Sequence, residues 1–130
     1  MTREERDMVR DAIEPLWSPD EAERGSARKR LVDMAKRLPL FQFIESSLPY
    51  SKGALVPELM TVLFQIDPEQ ARNVLGQRCT DPDPAARGKA LDLMASYEKD
   101  KDIETIARGT VDPDRSVRLG AVTALARAAD

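Results

Sequence analysis

The chain has 130 residues, of which 42% are apolar and only 5% aromatic, a balance that suits one domain of packed helices rather than a sheet core. A net charge of -3 and a pI near 5.1 disfavour nucleic acid and anionic membranes as partners. One cysteine excludes an internal disulfide, and the apolar run from Ala54 to Ile66 is too short to span a bilayer. No secretion-signal pattern opens the sequence, so we expect a cytoplasmic protein.

The first predicted helix runs from Thr2 to Leu16. Its apolar residues recur at helical spacing, and Thr2 and Glu5 have the spacing of a capping box. Trp17 follows this helix and has two interpretations. It covers the open N-terminal end of a helix stack, or it is a binding hot spot of the kind in which tryptophan is enriched.

A short segment that we call an entrance follows at Ser18-Pro19-Asp20 and returns at Asp81-Pro82-Asp83 and Asp112-Pro113-Asp114. The last two copies lie 31 residues apart, a period typical of α-solenoids. Proline suits the first turn of a helix, and aspartate accepts hydrogen bonds from its unpaired amides. Each entrance therefore predicts the start of a new helix, the second of the two helices in its repeat unit. The repeated structural positions are Asp20, Arg24, Asp83, Arg87, Asp114 and Arg118.

One further unit is predicted between the first and third copies. The segment from Leu48 to Gly53 keeps a proline and precedes the apolar helix 54–66, but it has lost the aspartates and the arginine. Helices are also predicted at 40–47, 68–79 and 102–110, which gives eight helices in four antiparallel pairs. We expect a single domain with repeat units at 1–38, 39–66, 67–98 and 99–130. In the first repeat unit, the second helix has an apolar stripe formed by Ala27, Leu31, Met34, Ala35 and Leu38.

The last unit follows the pattern D-x-x-x-x-V-R-x-x-A-x-x-A-L, through Asp112, Val117, Arg118, Ala121, Ala124 and Leu125. In this pattern the chain resembles tandem HEAT-like repeats of the phycobilisome-lyase type. The third unit has Ala86 in place of the valine, and the second unit departs almost everywhere. The resemblance implies an all-α fold, a right-handed α-solenoid of HEAT-like or armadillo-like type with about four antiparallel helix pairs.

The sequence contains no histidine, the usual general base near neutral pH and a frequent metal ligand. We therefore predict a protein that is not an enzyme, with no catalytic residues, no metal site and no cofactor. Cys79 lacks a histidine partner and is interpreted as a partly buried packing residue. The aspartates of the entrances lack the spacing of an EF-hand loop.

Arg24, Arg87 and Arg118 occupy one equivalent position and have two interpretations. A ladder of guanidinium groups could bind anions. Alternatively, each arginine makes an ion pair or a carbonyl contact that braces its own repeat, which we favour because repeated units reproduce structural contacts.

In HEAT-type solenoids the second helices line the concave surface, so their outward side is the expected binding face. Helical-wheel positions opposite the apolar stripes define what we call the outward strip. Its members are Lys29, Val32, Lys36, Glu58, Thr61, Gln65, Asp92, Ser96, Leu119, Thr123 and Arg127. The mixed charge of this strip favours a protein partner, and a merely solvated face is the alternative.

The function expected from these features is a scaffold or adaptor that binds another protein of unknown identity through its concave face. A role in attaching a tetrapyrrole to a protein is the alternative that the resemblance implies. DNA repair on a helical-repeat scaffold ranks third, because the outward strip is not basic. The last helix keeps Val122, Ala126 and Ala129 beside its main stripe, so either further repeats follow in a longer protein or this end makes a dimer contact.

Overall fold

The computed structural model describes residues 1–96 and 103–129, with side chains through Arg127. In this part of the chain every regular element is helical. Short 3-10 segments occupy Glu14–Trp17, Leu48–Tyr50 and Gly109–Val111. The α-helices are α1 (Arg3–Ile13), α2 (Glu21–Met34), α3 (Leu40–Ser47), α4 (Leu55–Ile66), α5 (Pro68–Arg78), α6 (Pro84–Ala95), α7 (Ile103–Arg108) and α8 (Arg115–Ala129).

The predicted all-α class and the count of eight helices are confirmed for the described residues. The limits of α3 agree with the prediction, and Thr2 and Glu5 form the expected capping box. The prediction of one helix from Thr2 to Leu16 is wrong, because the α-helix ends at Ile13 and a 3-10 turn follows. Pro15 explains the change, since proline has no amide to continue the α-helical ladder. Asp102, the predicted start of the seventh helix, lies outside the described residues.

The chain divides into two compact units, Met1–Asp67 and Pro68–Asp130. In the first unit α1 packs on α2, α3 packs on α4, and α2 lies against α4. The second unit has the same scheme: α5 packs on α6, α7 on α8, and α6 lies against α8. Each unit therefore consists of two helix pairs whose second helices are neighbours. Among the described residues, no helix is long and apolar enough to cross a membrane.

The core of the first unit is built from apolar stripes at helical spacing. Ala27, Leu31 and Met34 of α2 are buried, in agreement with the predicted stripe, whereas Ala35 and Leu38 follow the end of the helix and are only partly buried. Helix α4 buries more of its circumference, because both α2 and α3 pack against it. Its buried residues are Val56, Leu59, Met60, Val62 and Leu63.

The core of the second unit depends on small residues. Ala121 and Ala124 of α8 are fully buried and pack with Leu91 and Ala95 of α6 in one cluster. Alanine at these positions lets the two helices approach closely, which explains why α6 and α8 make the most extensive contact in the unit. Helical spacing also predicts Tyr97 in the apolar stripe of α6 and Ala128 in that of α8. Tyr97 and the side chain of Ala128 lie outside the described part of the structure.

Gly109 occupies a point where only a hydrogen atom fits. A Cβ at this position would lie 2.6 Å from Leu91 Cδ1 and 2.8 Å from Ala121 Cβ. The leucine side chain could turn away, but the alanine Cβ is fixed to the backbone of α8. A side chain at Gly109 therefore requires α8 or the 3-10 turn to shift.

We predict that Gly109→Ala lowers the free energy of unfolding by about 1–3 kcal/mol, the usual cost of overpacking a core. Gly120→Ala is the matched control, because a Cβ there meets nothing within 4 Å and alanine favours the helix by about 0.5–1 kcal/mol. Urea denaturation of both variants measures the two effects. Equal stability of the two variants would contradict the close approach at Gly109.

Candidate functional site

The three entrances share one set of local hydrogen bonds. The side chain of the first residue accepts the amide two residues later: Ser18 Oγ from Asp20 at 3.1 Å, Asp81 Oδ1 from Asp83 at 2.8 Å, and Asp112 Oδ1 from Asp114 at 2.8 Å. The third residue then accepts from the first turn of the helix, at 3.0, 3.1 and 2.9 Å for Asp20, Asp83 and Asp114. These contacts fix the direction in which each second helix starts.

The arginine of each repeat closes the same loop. Its Nη1 donates to the carbonyl oxygen six residues earlier, at 2.7 Å for Arg24, 2.8 Å for Arg87 and 2.7 Å for Arg118. Arg87 and Arg118 also donate to the next carbonyl, those of Pro82 and Pro113. Each guanidinium is thus tied to the backbone of its own entrance, which leaves its other nitrogens for a second partner.

In the first unit that second partner is Glu58 of α4. Arg24 Nε lies 3.2 Å from one carboxylate oxygen of Glu58, and Arg28 Nη1 lies 2.5 Å from the other. Both arginines also bind Glu21 at 2.6 Å, and these bonds, that of Arg28 foremost, hold the pKa of Glu21 below its ordinary value. Glu58, predicted on the outward strip, is therefore occupied by a network that joins α2 to α4.

In the second unit the partner is Asp112 of the following entrance. Arg87 Nε and Nη2 donate to the two carboxylate oxygens at 2.8 and 2.9 Å, a bidentate pair. Asp112 in turn accepts the amide of Asp114, and the pair with Arg87, more than that amide, lowers the pKa of Asp112. Arg87 thus links the third helix pair to the fourth. Within the described residues, Arg118 forms no ion pair.

We predict that the Arg87–Asp112 pair makes unfolding depend on pH. The folded state lowers the pKa of Asp112, so its stabilising effect is complete above the ordinary aspartate pKa of about 3.9 and is lost as the pH falls through the lower folded value. The difference in stability between wild type and Asp112→Asn should therefore shrink on acidification. Urea denaturation between neutral and strongly acidic pH measures it.

Asp7→Asn is the control for this experiment, because Asp7 and Arg10 lie 3.7 Å apart with side chains 60% and 70% exposed, and an ion pair so exposed contributes little to stability. Its stability should follow that of the wild type at every pH. A constant difference between wild type and Asp112→Asn over the whole range would contradict the assigned ion pair.

The first unit places its part of the outward strip on α2 and α4. Lys29, Lys36 and Gln65 are exposed, while Val32, Glu58 and Thr61 are partly buried. A groove of about 300 Å³ lies along this surface, with Val32 at its apolar side and Lys29, Asp33 and Gln65 among its polar lining. Three predicted residues therefore line one depression. Thr61 donates its hydroxyl to the carbonyl of Pro57, and Lys36 lies 3.5 Å from Asp33.

The second unit places its part on α6 and α8. Arg127 and Asp92 form an ion pair across the two helices. Ser96 and Thr123 donate their hydroxyls to carbonyls of their own helices, at 3.0 Å each. Leu119 is 58% exposed. The strip in this unit therefore presents one large apolar side chain beside a paired set of charges.

A second, larger depression of the first unit was not predicted. It is a groove of about 680 Å³ bordered by α1, α3 and the start of α4, with Phe43, Leu55 and Leu59 among its apolar lining and Arg6 and Arg10 among its basic lining. The two arginines are one helical turn apart, a spacing visible in the sequence. Phe43, Leu55 and Leu59 come from another helix pair, so no pattern in the sequence links them to the two arginines.

The sequence contains a single cysteine and a single tryptophan, and the structure describes the contacts of both. Cys79 is partly buried beside the core of the second unit, with Sγ 3.4 Å from the carbonyl oxygen of Leu75 and 3.5 Å from Met94 Sδ.

Trp17 is 50% exposed, and its ring lies beside Gly53, where a Cβ would be 3.9 Å away. Gly53 has a φ of 61°, which favours glycine, and it begins the turn into α4. The described residues contain no cluster of three potential metal ligands.

No model of a known protein family matches the chain, and no curated protein matches it. The repeated entrances, the pairing of the helices and the geometry of the outward strip are therefore the basis for a functional hypothesis.

Proposed function

We propose that this chain is a non-enzymatic protein-binding module of HEAT-like repeats, which binds its partner on the outward strip of its second helices. The observation that carries the proposal is the groove on α2 and α4, where Lys29, Val32 and Gln65 of the strip meet. One apolar side chain, Val32, among charged and polar neighbours suits the side chains of a protein segment, which combine both kinds of contact.

The repeat character of the proposal is supported by contacts that recur along the chain. The carbonyl bond of the arginine and the two bonds of the entrance return with nearly the same lengths in three places. In each unit the second helices are neighbours, as the stacking of HEAT-like repeats requires. A right-handed α-solenoid built from four such pairs is the arrangement that we propose.

A binding role is preferred to an enzymatic one for two reasons: a common catalytic residue type is absent from the sequence, and several carboxylates are engaged in structural contacts. The sequence contains no histidine. Glu58 and Asp112 are held by arginines, and the entrance aspartates accept backbone amides. These groups stabilise the fold, whereas Leu119 and Val32 offer apolar surface to a partner.

We predict that Lys29→Glu and Leu119→Glu each reduce capture of the partner from native lysate about tenfold, the effect of losing a central contact of an interface. Asn73→Glu, on the exposed side of α5, should capture as the wild type does. Quantitative mass spectrometry of the captured protein measures the change, and circular dichroism checks that each variant is folded. Unchanged capture by both strip variants would exclude this surface.

A charge exchange separates loss of fold from loss of recognition. In the double variant Asp92→Arg, Arg127→Asp the ion pair between α6 and α8 can form in the reverse sense, so thermal stability should be retained. The pattern of charge on the strip is nevertheless inverted, and capture should fall. Full capture by this variant would place the partner elsewhere.

Tetrapyrrole handling is a second candidate, supported by the 680 Å³ groove of the first unit. Its apolar lining would accept a flat macrocycle or linear tetrapyrrole, and Arg6 and Arg10 would pair with two propionate groups. Addition of bilin to the purified protein should then shift the visible absorbance, and Arg6→Glu with Arg10→Glu should abolish the shift. An unchanged spectrum with the wild type would remove this candidate.

Duplex DNA has the weakest support. The strip offers Lys29, Lys36 and Arg127 to phosphates, but Arg127 is paired with Asp92 and Lys36 lies near Asp33. A duplex-binding measurement at low salt should show no complex.

A further inference from the structure

Helix α8 exposes apolar side chains on a side separate from most of the outward strip. Val122 is 56% exposed, and Ala126 is also exposed. Arg118 lies on the same helix, one turn before Val122, and holds its own entrance without an ion pair among the described residues. These three residues define what we call the α8 end face.

The preceding repeat shows how such a face is normally covered. The residues 31 positions earlier are Leu91, Ala95 and Arg87. Leu91 is 3% exposed and Ala95 is 7% exposed, because Ile106 of α7 and Val117, Ala121 and Ala124 of α8 pack against them. Arg87 reaches across to Asp112. The α8 end face is therefore the surface on which, one repeat earlier, the next helix pair lies.

The first helix pair has a groove at the corresponding position. Counting back 94 residues, Ala12 corresponds to Ile106 and Ala27 corresponds to Ala121. Both line a depression of about 500 Å³ on α1 and α2, together with Pro15 and Ala22. Its lining is mostly apolar, and Glu23 and Arg30 supply charge. We propose that the α8 end face of one copy binds this groove on a second copy, head to tail.

The polar groups at the two surfaces match. Inside the chain, Asp112 and Arg127 are the partners of Arg87 and Asp92. With the same offset of 94 residues, Ser18 and Asp33 of the second copy stand at the positions of Asp112 and Arg127. Ser18 donates its hydroxyl to Glu23 at 2.5 Å, so a carboxylate stands beside the place that Arg118 would reach. Thr123, which corresponds to Asp92, would likewise meet Asp33. A symmetric contact between two α8 helices would instead offer Arg118 no carboxylate, because residues 115–127 contain none.

Because the two surfaces differ, the contact does not close after two copies. The assembly grows by adding copies at either end, unless its curvature closes a ring. Association should therefore rise steadily with protein concentration rather than stop at a dimer. Arg30 stands where the internal contact has the small Ala124, so it should limit the affinity.

The test uses analytical ultracentrifugation of the whole chain over a concentration series. The wild type should pass beyond the dimer, whereas Val122→Glu and Glu23→Arg should each weaken association about tenfold or more. A mixture of these two variants should form a heterodimer that grows no further, because each retains one intact surface. Arg30→Ala should strengthen association of the otherwise unchanged chain.

Tyr50→Ser is the matched control, since Tyr50 is 86% exposed and lies on neither surface. It should associate as the wild type does, and circular dichroism should show native helix content for every variant. A wild type that stays monomeric at the highest attainable concentration would overturn the proposal. So would an assembly that stops at two copies, or a mixture of the two blocked variants that remains monomeric.

Discussion

The hydrogen bond from an arginine to the backbone of its own entrance is the contact on which the repeats depend. It occurs at Arg24, Arg87 and Arg118, and each time the guanidinium satisfies carbonyl groups of a loop that contains proline. A loop held in this way presents the aspartate that caps the next helix, which fixes where that helix begins. The same guanidinium can then reach a carboxylate of the neighbouring pair, as Arg87 does with Asp112. Local and long-range order are thus coupled through one side chain.

The degenerate second repeat shows what replaces this contact. Helix α4 has no side-chain cap, and its turn depends on Gly53 in the left-handed region. Its tie to the preceding pair has the same sense as that of Arg87 with Asp112: α2 of the earlier pair supplies Arg24 and Arg28, and the later pair supplies the carboxylate, here Glu58 of α4 itself. Burial of more of α4 within the first unit makes up for the lost entrance. The proposed array therefore tolerates one irregular member because packing and an ion pair perform the same positioning.

The fold was more accessible from sequence than the candidate site. Entrances and helical periodicity predicted all eight helices, and α3 with its limits, because these features are local. The break at Pro15 was missed because the apolar spacing continues to Leu16, which is buried although it lies in the 3-10 turn. At the candidate site, the helical wheel placed Val32 and Glu58 on one surface but could not show that Glu58 is held by two arginines. The close contact at Gly109 and the grooves were equally inaccessible, since each depends on the distance between helices that are far apart in sequence.

We propose that the repeat is the unit of construction and that neighbouring second helices provide the binding surface. Insertion of a second copy of residues 81–111 between Val111 and Asp112 tests this most directly. A repeat array accepts an additional unit, since Arg87 of each copy finds the aspartate of the next entrance. Circular dichroism with thermal unfolding should show more helix, one cooperative transition and a midpoint no lower than that of the wild type. Loss of cooperative unfolding or of helix content in the insertion variant would contradict a fold built from repeats.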